Sequence, residues 1–399
     1  MSNFFNSIGI ADMEKVHSAV IGWMFSDKCE AFGNSGKRVK SKLLCDLFGV
    51  PKVEFNTITV YIEAFNIDIL IETIDSTGNT GCWVIENKIK SNQHSNQLDK
   101  YVDIIEGKGE KQKTSKYNSS EKHYCFLTLI KEAPKGKHSD KWCNAQYQRF
   151  SELIANALNV KTNSNFSHFD RLSLNEYYKC IKEISDSLDD FISAPSKYEF
   201  VFTEGNKKKS DKDNTYLSKI EKKYKSTGRF IAENGLETIF QKCYLGKLAK
   251  DLKFPFQIAE TRGNAMLNVD VTDKITWGKV GKTYPNVKLH AGIEFQKGTF
   301  KIQIHDMYNK AGNSAAKEKF NSQWEKAFNN ADPSKTTNPS KKNGRYYVSM
   351  SISSKKDWWK GSSCMDLNKI IEKCINDLQK VVDSHPKEEA LGEQEVLRY

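Results

Sequence analysis

The first half of the chain carries hydrophobic residues at two different spacings. Residues 12–24 and 39–48 have them at helical spacing, with Asp12 as the expected N-cap of the first helix and Gly49 at the end of the second. The period then changes to that of strands. Strands are expected at 57–64, 68–74, 82–89 and 123–130, and helices near 92–106, 150–158 and 173–193. This order predicts an α/β unit, a mixed sheet flanked by helices, in about the first 195 residues.

A basic segment separates this unit from a second set of elements. Residues 207–229 contain nine basic and three acidic residues, which is typical of a linker that leads into a basic helix. Residues 289–304 alternate on either side of Lys297 and Gly298, which is the pattern of a β-hairpin. Further strand-like runs, and helices near 230–252, 313–329 and 365–382, complete an α+β pattern. We therefore expect an α/β domain at 1–196, a basic linker and helix at 197–229, and an α+β domain at 230–399.

The overall composition restricts the class of protein. The 399 residues include 61 Lys and Arg against 50 Asp and Glu, and the resulting net charge of +11 favours polyanionic partners such as nucleic acid. The nine cysteines are scattered and contain no C-x-x-C pair, which argues against a zinc site or a disulfide framework. No apolar run approaches ~20 residues, and the N-terminus lacks the pattern of a secretion signal. These features predict a cytoplasmic protein without a membrane partner.

The segment GCWVIENKIKSNQHSNQLDKYVD, residues 81–103, places charged residues in a strand of the buried type. E-x-K occurs three times in the chain, but only Glu86-Asn-Lys88 lies in a strand-like run. Side chains two positions apart point to the same face of a strand, so Glu86 and Lys88 follow Val84 on one face. Asp68 begins the preceding strand, and a hairpin would bring its carboxylate beside them. Such buried charges are costly unless they meet a partner or a metal ion.

Two carboxylates and one lysine in a shared pocket suit a particular chemistry. Carboxylate oxygens are ligands that Mg²⁺ and Mn²⁺ prefer. A metal-bound water loses its proton more readily, and a metal ion together with Lys88 can offset the negative charge that develops on a phosphate under attack. The combination of Asp68, Glu86 and Lys88 therefore predicts metal-dependent phosphodiester hydrolysis, with Mg²⁺ or Mn²⁺ as the cofactor.

These residues resemble a known family. The strand FNIDILIETI, followed by the segment at 81–103, is similar to the PD-(D/E)XK nuclease superfamily, in which a strand Asp, a strand Glu-x-Lys and a Gln-containing helix recur in this order. The resemblance covers about residues 10–195 and implies a restriction-endonuclease-like fold. As site residues it implies the metal ligands Asp68, Glu86 and Glu14, the catalytic Lys88 and the supporting Gln97.

Each of these positions also has a plain structural interpretation. Glu86 and Lys88 could form a same-face salt bridge on a half-exposed strand, although their apolar neighbours argue against it. Asp68 could be a residue at the edge of a strand or a turn cap. Gln97 could be an amide on a helix surface, and Tyr101 could pack against the sheet. Glu14 could pair with a neighbour on its helix or face solvent.

Basic residues in the linker segment supply candidate contacts to a phosphate backbone. They are Lys207, Lys208, Lys209, Lys222 and Lys223. A run of this kind is otherwise a solvated linker, and the sequence leaves both interpretations open.

The observations together predict a Mg²⁺-dependent nuclease that cuts DNA, whose second domain recognises substrate, a protein partner or a signal. By analogy of fold alone we expect a role in bacterial defence against phage or plasmid DNA. The resemblance also implies a homodimer. Two alternatives stay open: a catalytically silent nucleic-acid-binding or scaffold protein, and a nuclease that acts on RNA by the same chemistry.

Overall fold

The computed structural model of the protein describes most of the chain. The described residues are 3–90, 93, 96–108, 117–130, 132–160, 166–203, 212–261, 263–278, 280, 289–296, 299–306, 314–331, 337–342, 345–354 and 364–386. By its backbone contacts the chain divides into two compact units, Met1–Ser193 with Lys209–Ile239, and Ala194–Lys208 with Phe240–Tyr399. The segment boundaries expected at residues 196 and 229 remain predictions.

The described residues form helices and strands that assemble into two sheets. The helices are α1 (Phe4–Ser7), α2 (Glu14–Phe25), α3 (Gly36–Phe48), α4 (Gln97–Ile105), α5 (Tyr147–Leu158), α6 (His168–Ser193), α7 (Phe200–Thr203), α8 (Asn214–Glu233), α9 (Glu237–Ala249), α10 (Ser314–Ala331) and α11 (Cys364–Asp383). The strands are β1 (Phe55–Ile62), β2 (Ile69–Asp75), β3 (Thr80–Lys88), β4 (Glu121–Thr128), β5 (Trp142–Gln146), β6 (Phe256–Thr261), β7 (Asn264–Asp270), β8 (Leu289–Gln296), β9 (Thr299–Asp306), β10 (Thr337–Lys342) and β11 (Arg345–Ser354). None of the described helices combines the length and the apolar character needed to cross a bilayer.

The sheet of the first unit is mixed, with the order β1-β2-β3-β4-β5. β1, β2 and β3 run antiparallel, whereas β4 and β5 continue parallel to β3. A parallel pair needs a crossover connection, and α4 lies in the connection between β3 and β4. α2 and α3 pack on the sheet, and α4 shares a hydrophobic core with β3 and β4. The α/β prediction of a mixed sheet flanked by helices is therefore confirmed.

Strand β3 is buried from Cys82 onward, and one of its faces changes from apolar to charged along its length. Cys82 and Val84 belong to the core that α4 covers, and Glu86 and Lys88 continue the same row. The other members of this core are Ile67, Leu70, Leu98, Tyr101, Val102, Ile105, Tyr117, Tyr124, Phe126 and Trp142. The charged end of the row therefore borders a large apolar cluster.

The opposite face of β3 packs against the first helices. The Trp83 ring contacts Phe48 of α3 edge-on at 5.0 Å and stacks on His123 at 3.9 Å. Its Nε1 donates to the Thr73 hydroxyl at 2.9 Å. Asn87 is the last residue of this row before the strand ends. Successive side chains of β3 thus point to opposite faces of the sheet, with Glu86 and Lys88 on one face and the neutral Asn87 on the other.

The start of α2 differs from the sequence-based expectation. Its N-cap is Met13, which makes no side-chain capping hydrogen bond. The Asp12 carboxylate instead pairs with Lys90, directly after β3. The prediction that Asp12 caps the helix is therefore wrong, because tertiary structure brings a lysine to this carboxylate. α3 ends as expected at Gly49, whose φ of 70° lies in the left-handed region.

The second unit contains an antiparallel sheet in the order β10-β11-β9-β8-β7-β6, together with helices. β8 and β9 form the predicted hairpin, with Gln296 opposite Thr299, and its expected turn residues Lys297 and Gly298 lie outside the described residues. Trp324 and Phe328 of α10 are fully buried. The prediction of a second α+β domain is confirmed.

A buried histidine joins α2 to α6. His17 Nε2 donates to the Ala11 carbonyl at 2.8 Å, and its Nδ1 accepts from the Tyr177 hydroxyl at 3.1 Å. A carbonyl can only accept, so the neutral tautomer with its proton on Nε2 satisfies both partners. Burial lowers the pKa of His17 to about 4, outweighing the opposing effects of the Ala11 carbonyl and of the nearby carboxylates.

Acidification should therefore weaken the first unit through His17. Because the folded pKa lies below the ordinary value of 6.5, the stability it contributes is complete above that pH and is lost as the pH falls through about 4. Between roughly pH 7.5 and pH 5, we expect the free energy of unfolding of the wild type to fall by about 2 kcal/mol more than that of His17→Gln. Urea denaturation of both proteins measures this, and parallel pH curves would contradict it.

Candidate active site

Two antiparallel strands bring the predicted acidic residues to one end of the first sheet. Asp68 directly precedes β2, whereas Glu86 and Lys88 lie at the end of β3. The register pairs Ile69 with Ile85, so the beginning of β2 lies beside the end of β3. Strand pairing therefore places Asp68 next to the Glu-x-Lys segment.

Glu86 and Lys88 form a buried ion pair. Lys88 Nζ lies 2.5 Å from Glu86 Oε1, and the two side chains are 8% and 0% exposed. Glu86 Oε1 therefore has a charged partner in Lys88, whereas Glu86 Oε2 has no hydrogen-bond partner within the described residues. Burial, and after it the negative charge of Asp68, raises the pKa of Glu86 to about 7, although Lys88 acts in the opposite direction. The site thus holds a carboxyl group that is close to its protonation point at neutral pH.

Asp68 completes a group of two acids and one base. Its Oδ2 accepts the backbone N–H of Asn87 at 2.8 Å. Burial raises the pKa of Asp68, and this effect exceeds the lowering by the Asn87 N–H and by Lys88. For Lys88, burial acts to lower the pKa, but the charges of Glu86, Asp68 and Glu14 raise it above its ordinary value. Lys88 is therefore an ammonium ion at neutral pH.

Gln97 and Tyr101, on α4, connect that helix to the turn before Asp68. Gln97 Nε2 donates to the Tyr101 hydroxyl oxygen at 2.7 Å, and the Tyr101 hydroxyl donates to the Asn66 carbonyl at 2.6 Å. Burial, and after it the charge of Glu86, raises the pKa of Tyr101, so its hydroxyl keeps the proton. Gln97 Oε1 is buried without a hydrogen-bond partner in the described part of the chain. Gln97 therefore carries an unsatisfied acceptor next to Tyr101, whose hydroxyl is close enough to Glu86 to be affected by its charge.

Glu14 joins the first turn of α2 to the residues after β3. Its Oε1 accepts the backbone N–H groups of Ile89 and Lys90 at 2.9 and 3.0 Å. Its charge also acts on Asp68 and Lys88, which indicates that it lies near them. Over the ranges that the structure describes, no group of three or more His, Cys, Asp and Glu side chains is arranged to hold a metal ion. The role of Glu14 as a metal ligand stays a prediction.

The comparison with protein families agrees with this arrangement. Residues 2–179 match the family model of the PD-(D/E)XK nuclease superfamily. This segment belongs to that superfamily. The resemblance inferred from the sequence is confirmed over residues 2–179. Searches of curated proteins and of solved structures found no match.

The PD-(D/E)XK domain has oxygen atoms that suit a divalent cation, and nucleases of this superfamily generally use such ions. Oε2 of Glu86 and Oε1 of Gln97 are buried and lack hydrogen-bond partners among the described residues, whereas Oε1 of Glu86 is paired with Lys88. Asp68 supplies a second carboxylate beside them. Buried polar atoms normally have partners, so these atoms mark a place where a cation or its water ligands fit. The residues present therefore fit a divalent cation.

Two polar residues near the site of the PD-(D/E)XK domain were not predicted from the sequence. Thr128 of β4 pairs in register with Lys88, so it faces the same side, and its hydroxyl is buried without a partner in the described residues. Asn87 faces the opposite side and is 0% exposed. Asn87 could have been found from the sequence, because a polar Asn stands within an apolar run. Thr128 could not, because a Thr at the end of an apolar strand is not unusual.

The five lysines predicted to contact nucleic acid lie outside the PD-(D/E)XK segment, and the structure describes two of them. Lys207, Lys208 and Lys209 lie outside the described residues. Lys222 and Lys223 are exposed on α8, where the Lys223 ammonium lies 5.0 Å from the centre of the Tyr224 ring. The role of these lysines as nucleic-acid contacts stays a prediction.

Divalent cations should stabilise this domain through Asp68 and Glu86. A ligand at about 100 times its Kd adds about 2.7 kcal/mol to the free energy of unfolding. For a domain of this size we expect Mg²⁺ or Mn²⁺ to raise Tm by about 5 °C or more relative to EDTA. Asp68→Asn and Glu86→Gln should lose this shift because each removes a charged oxygen donor.

Differential scanning fluorimetry across a Mn²⁺ series measures the effect. Glu152→Gln is the matched control, since it makes the same chemical change at an exposed carboxylate of α5. The control should shift like the wild type. An equal shift in all four proteins would show that Mn²⁺ binds elsewhere.

Proposed function

We propose that the PD-(D/E)XK domain of this protein hydrolyses phosphodiester bonds of DNA with the help of Mg²⁺ or Mn²⁺. The observation that carries the proposal is the Glu86 carboxylate, which is 0% exposed, has one oxygen paired with the Lys88 ammonium, and has a second oxygen without a hydrogen bond in the described residues. A buried charge so poorly satisfied is costly for a purely structural role. Its family membership supplies a chemistry in which such a charge is needed.

Asp68 and Glu86 would hold the divalent cation. When bound, such an ion lowers the pKa of a water molecule and offsets negative charge on the phosphate that is attacked. Burial and Asp68 raise the pKa of Glu86, and a cation beside the carboxylate would favour its ionised form. Gln97 would orient the site by accepting a hydrogen bond from a water molecule at its unsatisfied Oε1.

Lys88 would act through its positive charge. The surrounding carboxylates keep it protonated, which disfavours a role as general base at neutral pH. An ammonium group in a buried site stabilises negative charge strongly, because little water screens it. Lys88 would therefore stabilise the developing charge on the phosphate or orient the attacking water.

A catalytically silent scaffold is the principal alternative. Asp68, Glu86 and Lys88 all keep the chemical character that catalysis needs, and their burial makes them costly to retain without a use. These features favour the enzyme. A nuclease that acts on RNA would use the same residues, so substrate choice has to be decided by direct comparison.

The charge of the protein bears on its substrate. The net charge of +11 and the exposed Lys222 and Lys223 support a nucleic-acid substrate, with DNA as the proposed one. We further propose that the α+β domain recognises substrate or a protein partner, that the protein works as a homodimer, and that it serves bacterial defence against phage or plasmid DNA. Plating of phage on cells that express the wild type or Glu86→Gln tests the last point, and equal plating would count against it.

Cleavage assays test the proposed activity directly. We expect supercoiled and linear DNA to be cut in Mg²⁺ or Mn²⁺ and to stay intact in EDTA. Glu86→Gln and Lys88→Ala should each lower the rate by about 10²-fold or more, because each removes charge that acts in the transition state. Structured RNA incubated in parallel decides between the two substrates.

Lys28→Ala is the control for the lysine variant, because Lys28 is exposed in the loop after α2. Its rate should match that of the wild type. Circular dichroism must show that every variant is folded. Binding of DNA without cleavage in any of these metals would support the scaffold alternative instead.

A further inference from the structure

Asn87 occupies a special position between the two charged residues of β3. Glu86 and Lys88 face the acidic site, whereas Asn87 faces the opposite side of the sheet and is 0% exposed. An amide buried this deeply is costly unless its donors and its acceptor are satisfied. Its contacts therefore indicate what the residue does.

The Asn87 side chain contacts two helices. Its Nδ2 donates to the Glu14 carbonyl at 3.0 Å and to the Ser18 hydroxyl at 3.1 Å, both in α2. Its Oδ1 accepts from the Tyr147 hydroxyl of α5 at 2.5 Å. The Glu14 carbonyl can only accept, so it fixes which end of the amide carries the N–H groups. Both N–H donors and the oxygen of the amide are thus engaged.

The backbone around Asn87 also contacts the site. Its N–H donates to Asp68 Oδ2 at 2.8 Å. In return, Glu14 Oε1 accepts the N–H groups of Ile89 and Lys90, the two residues that follow β3. The strand therefore holds the helix through the Asn87 amide, and the helix holds the strand through the Glu14 carboxylate. Two acidic side chains are fixed relative to Glu86 by this reciprocal arrangement.

The same network extends deeper into the domain. The Tyr147 ring packs edge-on against His17 at 5.6 Å, and His17 is hydrogen-bonded to Tyr177 of α6. All three side chains are buried. Buried polar networks with satisfied members favour one arrangement over alternatives. Asn87 is the member of this network that reaches the site.

We propose that Asn87 is a positioning residue, which sets the placement of Asp68 and of the Glu14 carboxylate relative to Glu86 for cation binding. The inference rests on the proposed function for its consequence in catalysis. Asn87 itself touches neither the substrate nor the cation, since it faces the other side of the sheet. Its loss should therefore weaken the response to metal more than a general loss of stability explains.

Asn87→Ala tests this with a readout that needs neither metal nor activity. Hydrogen exchange of peptides that contain Ile89 and Lys90 reports whether Glu14 still holds these N–H groups. We expect exchange there to become about 10-fold faster or more. In fluorimetry, the Mn²⁺ concentration at half of the maximal Tm shift should rise about 10- to 100-fold, as found when groups that orient metal ligands are removed. The Mg²⁺ concentration for half-maximal cleavage should rise in parallel, with the KM for DNA unchanged.

Tyr147→Phe is a second variant that covers the case in which Asn87→Ala does not fold. It removes one hydroxyl and leaves the Asn87 amide in place. We expect exchange at Ile89 and Lys90 to become about threefold faster, and the Mn²⁺ concentration at half of the maximal Tm shift to rise about threefold. This size corresponds to the loss of one neutral hydrogen bond. Exchange and Mn²⁺ response equal to the wild type in Tyr147→Phe would count against the proposal.

Thr73→Val is the matched control for a buried hydrogen bond. Thr73 is 2% exposed and accepts from Trp83 Nε1 at 2.9 Å, and five strand residues place it roughly 17 Å along β2 from Asp68. It should lose stability but keep the wild-type exchange at Ile89 and the wild-type response to Mn²⁺. A folded Asn87→Ala that behaves like Thr73→Val would overturn the inference.

Failure of the proposed function would look different. In that case the wild type itself would show neither cleavage nor a Mn²⁺ shift. The exchange readout would still decide whether Asn87 orders Glu14, because it is measured without metal. Slow exchange at Ile89 and Lys90 in Asn87→Ala would then reject the positioning role independently.

Discussion

Glu86 places a fully buried carboxylate near the end of strand β3, directly after four apolar residues. Asp68 lies close enough to raise the pKa of Glu86. Two acids in such a place repel each other and lose their hydration, and one ammonium group at 2.5 Å offsets only part of this cost. A divalent cation between them would reverse the balance. Much of the local structure can be understood as a means of holding these groups in place despite their electrostatic cost.

Several elements share that task. The antiparallel pairing of β2 and β3 brings Asp68 to Glu86, and the apolar core under α4 keeps water from the row that leads to the site. The Tyr101 hydroxyl holds the turn before Asp68, while Asn87 joins β3 to α2 and α5 from the other side. Fold and site are therefore coupled, since the contacts that fix the acids also join the helices to the sheet.

The sequence predicted those features that depend on local pattern. Glu86 and Lys88 were recognisable because charges two positions apart interrupt an apolar strand, and the β8–β9 hairpin followed from alternation on both sides of a turn. The approach of Asp68 to Glu86 was also expected from the hairpin, but several other features that depend on register or tertiary contact were missed. β5 is a five-residue strand with polar positions, β10 has the sequence TNPSKK without a strand pattern, and the pairing of Asp12 with Lys90 joins distant segments. The orphaned hydroxyl of Thr128 becomes visible only once β4 is paired with β3.

The central claim is that Asp68 and Glu86 share one divalent cation. Crystals grown with Mn²⁺, with diffraction data collected at the Mn absorption edge, test it directly because anomalous scattering locates the ion independently of the protein atoms. We predict one anomalous peak within about 2.0–2.4 Å of a carboxylate oxygen of both residues, in keeping with the bond lengths of hard divalent cations. An empty space between the two carboxylates at saturating Mn²⁺, or a peak bound to other residues alone, would contradict it.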